Sequence, residues 1–220
     1  MRHELRVYPD VDALAGAAAQ YAADRARRVR TRHSPFTFAV SGGTSPWLML
    51  RDLAREEVRW DHAVIYQVDE RVVSPDSDLR NLKHLRASLA TTPTPVVAMD
   101  VDDADLDEAC RRYADELPAS FDLVHLGLGP DGHCASLVPN DPVLEVTDRL
   151  VALSGPYQAT RRMTLTYPAL ARAHHVLWLI SGADKHDALA KLLENDPSIP
   201  ASHVTAATSL VLADRAAVGS

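Results

Sequence analysis

Apolar and polar positions alternate along this chain with two different periods. Val11, Leu14, Ala18, Tyr21 and Ala22 recur at steps of three and four, which predicts an amphipathic helix over 11–30 with Asp10 or Asp12 capping its start. After Pro35, the run Phe36-Thr-Phe-Ala-Val40 is too short for a helix and rich in strand formers. A turn at Ser41-Gly-Gly-Thr-Ser-Pro46 breaks it, and residues 47–55 resume helically with Pro46 near the first turn. Further strands are predicted at 63–68, 121–126 and 174–180, with weaker signals at 149–153, 162–166 and 209–213. Helices are predicted at 78–89, 103–117, 168–173 and 183–194. Strand and helix alternate from end to end, the pattern of an α/β protein with a mostly parallel sheet flanked by helices. No repeat or low-complexity tract interrupts it. Strand-like residues follow the best internal break, Pro93-Thr-Pro95, at once, so a single domain over 1–220 is expected.

The chemistry-bearing residues gather after the predicted strands. In open α/β sheets ligands bind beyond the carboxyl ends of the strands, so parallel strands would bring four such turns to one rim. The first, Ser41 to Pro46, is read either as an anion cradle or as a plain tight turn. In the first reading Gly42 and Gly43 admit close approach, and Thr44 and a helix start supply donors. In the second, Thr44 or Ser45 is an ordinary helix cap. It matches neither GxxxxGK[ST] nor GxGxxG, so neither ATP nor a dinucleotide is indicated. Asp69-Glu70-Arg71 can bind sugar hydroxyls, move protons and grip a phosphate, or else form a solvated ion pair at a strand end. Gly127-Leu-Gly-Pro-Asp-Gly-His133 suits presenting His133 at a cleft, with backbone N–H groups free to meet developing negative charge. Ser181-Gly-Ala-Asp-Lys185 opens a helix with a cation in its first turn, where an anionic ligand would supply the balance. Arg161 and Arg162 are candidates for the same pocket. Cys134 is read as a packing residue. His125, His174 and His175 lie on or beside apolar strands, without HxH or HExxH spacing, and are read as core or supporting residues.

Composition narrows the class. Lys and Arg number 23 against 30 Asp and Glu, a net charge of −7, which argues against a nucleic-acid partner. The densest basic cluster, Arg25-Ala-Arg-Arg-Val-Arg30, falls where cations complement a helix dipole. No apolar run approaches the ~20 residues that span a bilayer, and the opening Met1-Arg-His-Glu-Leu-Arg-Val-Tyr8 lacks a signal-peptide core. Two cysteines without a CxxC indicate neither a disulfide framework nor structural zinc. A cytoplasmic protein without membrane contact is expected.

Taken together, Ser41-Gly-Gly-Thr-Ser-Pro46, Asp69-Glu-Arg71, Gly127 to Pro139, Arg162-Met-Thr-Leu-Thr166 and Ser181-Gly-Ala-Asp-Lys185 resemble the 6-phosphogluconolactonase family, in order from about residue 10 to 213. The resemblance implies a modified Rossmann-like α/β fold, no cofactor, no metal, and hydrolysis of a sugar-phosphate lactone in the pentose phosphate pathway. In that reading His133 is the general base, steadied by Asp131 or backbone N–H groups. Gly42, Gly43, Thr44, Asp69, Glu70, Arg71, Arg162 and Lys185 then hold the substrate and its phosphate. The related glucosamine-6-phosphate deaminases carry a carboxylate shortly after this histidine and a tyrosine-like residue after Asp-Glu. Here Ser136-Leu-Val-Pro139 and Arg71 stand instead, favouring the lactonase and leaving the imidazole without that partner. Lactonases often show Ser-Asn where this chain reads Arg80-Asn81, so residue 80 is not assigned to the site. A non-catalytic sugar-phosphate sensor is the other alternative.

Overall fold

The computed structural model describes residues 2–29 and 34–219. Arg30, the end of the predicted first helix and of the basic cluster, lies outside the described residues. In chain order the strands are β1 (His3–Tyr8), β2 (Phe36–Val40), β3 (Ala63–Gln67), β4 (Asp69–Arg71), β5 (Val96–Val97), β6 (Leu123–Leu126), β7 (Val151–Tyr157), β8 (Thr160–Leu165), β9 (His175–Ile180) and β10 (Thr208–Asp214). The helices are α1 (Val11–Val29), α2 (Thr44–Leu53), α3 (Asn81–Ser88), α4 (Leu106–Glu116), α5 (Tyr167–Leu170), α6 (His186–Glu194) and α7 (Arg215–Val218). Seven strands form a parallel sheet in the order β1-β10-β9-β6-β2-β3-β5, and β4-β8-β7 form a small antiparallel one.

Both faces of the main sheet are covered, as the near-continuous apolar strands require. Along β9, Val176, Trp178 and Ile180 enter one core while Leu177 and Leu179 enter the other. α1 turns a stripe of small residues, Ala15, Ala18, Ala19, Ala22 and Ala23, inward against α2, β9 and β10, and Asp10 Oδ1 caps its start by accepting from Ala13 N–H at 2.9 Å. The strand order reverses between β2 and β6. β2 leads outward to β3 and β5, and β6 leads the other way through β9 to β10, which makes the gap beyond these two strands the natural crevice.

Three departures from the sequence pattern are informative. β1 was not predicted because it is a sheet edge, where Leu5 and Val7 stay 39% and 47% exposed among charged neighbours. Residues 149–153 and 162–166 are the two arms of an antiparallel hairpin, not members of the parallel sheet. The 183–194 helix is a short 3-10 turn, Ala183–Lys185, followed by α6.

The largest correction concerns Glu70. It is fully buried and lies beneath the crevice, not in it. Its Oε1 accepts from the N–H groups of Arg71 and Asn81, both at 2.8 Å. Its Oε2 accepts from Leu82 N–H at 2.7 Å and Gln67 Nε2 at 2.8 Å. Asn81 and Leu82 open α3, so this carboxylate caps a helix that starts eleven residues later. Arg80, itself 4% exposed, stands 3.7 Å away and is held by Asp102 at 2.9 Å, a structural position that agrees with leaving residue 80 off the site.

Glu70→Ala strands three backbone donors and the Gln67 amide and takes one of two carboxylates from buried Arg80, and unfolding free energy should fall by about 3–5 kcal/mol. The denaturant midpoint measures this. A midpoint within error of the parent would show that the cap contributes nothing.

Candidate active site

Beyond the carboxyl ends of β2, β3, β6 and β9 lies a cleft of about 350 Å³, lined by Ser41 to Pro46, Asp69, Arg71, Asn81, Gly127 to Gly129, His133, Arg162, Ser181 and Lys185 among others. The four predicted turns thus meet at one rim. Gly42, Gly43, Thr44, Asp69, Arg71, His133, Arg162 and Lys185 line the cleft; Asp131 stands just behind its wall, and Glu70 is excluded. Arg161 points elsewhere and is exposed.

The glycine-rich loop after β6 builds the histidine. His133 Nδ1 lies 2.6 Å from Asp131 Oδ1. An ionised carboxylate can only accept, so Nδ1 carries a hydrogen, and in the neutral ring the lone pair then falls on Nε2. Partial burial works against the Asp131 charge, but the hydrogen bond and charge of His133, with a further bond from Tyr157, hold the carboxyl below its ordinary range. The imidazole is therefore not unpartnered: Asp131, two residues earlier, accepts from it. Gly129 is required here, because a Cβ on it would lie 2.0 Å from His133 Nδ1. The expectation of free N–H groups fails for part of this loop. Gly129 donates to His133 O, Gly132 to Gly129 O, and His133 N–H to Asp131.

Free backbone donors lie instead in the first turn. α2 starts at Thr44 with Gly43 as its cap, and no described side chain bonds to that end. Thr44 and Ser45 therefore begin a helix with N–H groups lacking intrahelical acceptors, and the plain-cap reading of Thr44 or Ser45 does not hold. Gly42 is pressed against Asn81, whose Oδ1 would lie 2.0 Å from an added Cβ. Asn81 Nδ2 in turn donates to Asp69 O at 3.0 Å.

Three cations face this space. Arg71 donates from Nη1 to Leu79 O at 2.8 Å, and its Nε is buried without a partner among the described residues. Arg162 is buried with an equally unpartnered Nε. Burial pulls its pKa down and the nearby Asp69 charge opposes that shift. Lys185 is held at 2.9 Å by Asp184. Asp69 accepts from Ser136 Oγ at 2.8 Å, tying the histidine loop to β4.

Other residues are supporting. Cys134 is buried, and burial pushes its thiol pKa far up. His125 is fully buried under the first turn, where its Nδ1 accepts from Ser41 N–H at 3.3 Å; burial lowers its pKa to about 3. His174 and His175 bond to Ser120 and Thr208, away from the cleft. Sequence reading missed Tyr157, which reaches Asp131 from the hairpin, and the link from Ser136 to Asp69. Both bonds join residues far apart in the chain, so no local pattern marks them.

Residues 9–212 match the family described as glucosamine-6-phosphate isomerases/6-phosphogluconolactonase, and the chain belongs to that family. It is 34% identical over 225 residues to the 6-phosphogluconolactonase of Mycobacterium tuberculosis, covering 92% of this chain and 91% of that protein. The crystal structure of Thermotoga maritima 6-phosphogluconolactonase superposes with a TM-score of 0.88 at 26% identity, covering 97% and 100% of the two chains. A monomeric glucosamine-6-phosphate deaminase shares the fold, with a TM-score of 0.86 at 20% identity over 100% of this chain and 99% of that one. The fold alone therefore does not separate the two reactions.

Because His125 is neutral in the native state down to about pH 3, while an unfolded chain protonates it near 6.5, stability is full above 6.5 and lost as pH falls toward 3. This group adds a slope of up to about 1.4 kcal/mol per pH unit in that window. His125→Asn should flatten the acid limb of the unfolding free energy measured by urea titration. An unchanged slope would assign the acid sensitivity to other groups.

Proposed function

We propose that this chain hydrolyses 6-phosphogluconolactone to 6-phosphogluconate in the pentose phosphate pathway, with His133 as general base. The observation that carries the reading is the Asp131–His133 pair at 2.6 Å, set in the wall of a cleft that also holds Arg71, Arg162 and Lys185. Among the described residues no helix is long and apolar enough to cross a membrane, and we assign the reaction to the cytoplasm.

A phosphorylated lactone needs an anion site at one end and a water-activating base at the ester. The N–H groups opening α2 and the three cations meet the phosphate dianion through charge-assisted bonds. Nε2 of His133 takes a proton from water as the oxygen attacks C1, and Asp131 stabilises the imidazolium that forms. Collapse of the tetrahedral species breaks the C1–O5 bond, and the imidazolium returns its proton to the departing ring oxygen. The net change is addition of one water, and the base is regenerated. Asp69, fixed by Ser136, and Asn81 are placed to meet sugar hydroxyls. The net charge of −7 does not oppose an anionic substrate, because charges beyond about 10 Å are largely screened at 0.1 M salt.

His133→Ala should lower kcat on the order of 10²- to 10⁴-fold with a much smaller change in KM. A folded variant with near-parental kcat would remove His133 from the mechanism.

Lys185→Ala should weaken turnover of the phosphorylated lactone by about 10- to 150-fold, the worth of one charge-assisted bond, while leaving glucono-lactone nearly unaffected. Equal losses on both lactones would place Lys185 outside phosphate recognition. Glucosamine 6-phosphate should release no ammonia above background. Saturable ammonia release, abolished by Asp69→Asn, would transfer the assignment to the deaminase.

A further inference from the structure

Tyr157 links one of the cleft's cations to its base. It ends β7, and only Gln158 and Ala159 connect it to its partner Thr160, with φ of 49° and 65°. Two consecutive left-handed residues form the backbone of a type I′ hairpin, where Asn-Gly is the usual pair because a Cβ is disfavoured. A Gln-Ala pair keeps this conformation only where its surroundings over-determine it, and such strain collects at functional sites.

What the tight turn determines is the position of one ring. Tyr157 Oη donates to Asp131 Oδ2 at 3.1 Å. The ring meets His133 edge-on, with centroids 5.1 Å apart and planes at 63°. The Arg162 guanidinium lies over the same ring, 5.0 Å from its centre. Asp131 Oδ1 is already occupied, accepting from both the ring and the backbone N–H of His133. Held through that oxygen alone, the carboxylate remains free to swing about its Cβ–Cγ bond, since that terminal torsion is broad. Burial, and next the Asp131 charge, push the phenol's pKa up, so it remains a donor.

We propose that Tyr157 is a positioning residue of the hydrolysis, which pins Asp131 by its second oxygen and so keeps His133 aimed at the attacking water. This rests on the reading of His133 as the base. Arg162 stacks on the same ring, so Tyr157 contacts both the phosphate-binding cation and the imidazole. Sequence pattern gives no sign of this, because Tyr157 reaches the site from the small antiparallel sheet and the base from the parallel one.

The test is Tyr157→Phe, alone and with Asp131→Ala, assayed beside His133→Ala on the phosphorylated lactone. Phenylalanine keeps the ring against His133 and Arg162 and removes only Oη. The expected result is a fall in kcat of about 3- to 10-fold, the scale of one ordinary hydrogen bond, because Oη acts only through Asp131, with KM within about twofold and an unchanged melting temperature. Because Oη acts through Asp131, the same change should cost nothing further in the Asp131→Ala background. Parental kcat in Tyr157→Phe, a loss confined to KM, or an equal loss in the Asp131→Ala background would each overturn the proposal. If His133→Ala itself retained parental kcat, the assignment of the base would fail first, and the two failures are distinguishable in one set of assays.

Discussion

The constraint on which the site depends is the buried carboxylate of Glu70. It stands between two elements that no regular structure connects along the chain: the short strand that carries Asp69 and Arg71, and the helix that begins at Asn81. A fully desolvated charge must have every oxygen satisfied, and here it is satisfied by backbone N–H groups of both elements together with Gln67. Neither element can shift without stranding that charge. Asp69, Arg71 and Asn81 therefore enter the cleft from a rigid base, although the peptide between 72 and 80 contains no regular element. The residue doing this has no contact with the cleft, which is how a functional-looking acid can be essential to a site it never touches.

The cleft itself is shared between two sheets. The parallel sheet contributes the glycine turns, the histidine loop and Lys185; the antiparallel sheet contributes Asp69, Arg71 and Arg162. They are joined by main-chain bonds, Val68 N–H to Val40 O at 3.0 Å and Leu165 N–H to Val68 O at 2.8 Å. Ser136 adds side-chain stitching, with its N–H donating to Thr164 Oγ1 and its hydroxyl to Asp69. The residues of the cleft are thus built on two supports with a common seam, so their mutual orientation is set by packing and not by one loop.

The sequence made the parallel architecture legible because its central strands are apolar runs that end abruptly in polar turns, glycine-bearing after β2, β6 and β9. The same logic brings Gly42, Thr44, Arg71, His133 and Lys185 to one rim. It failed where burial, not residue type, decides the role. Asp69 and Glu70 are adjacent carboxylates, yet alternation along a strand sends one to the cleft and the other under it. β1 was illegible because an edge strand carries mixed polarity, and Tyr157 because its partner, Asp131, is 26 residues earlier in sequence.

The outer edge of the parallel sheet has a consequence for how the chain reaches this state. β1 pairs with β10, and its His3 Nδ1 hydrogen-bonds Ser209 Oγ across a separation of 206 residues at 2.7 Å. Closing so long a loop adds only a logarithmic entropy term, so the arrangement costs time more than stability, since non-local parallel pairings assemble slowly. A nascent chain emerging from the ribosome carries β1 and the alanine stripe of α1 first and the strands that cover them last. α2 can meet part of that stripe early, but the face turned to the sheet stays wet, and open to chaperones or to other chains, until β9 and β10 have been synthesised.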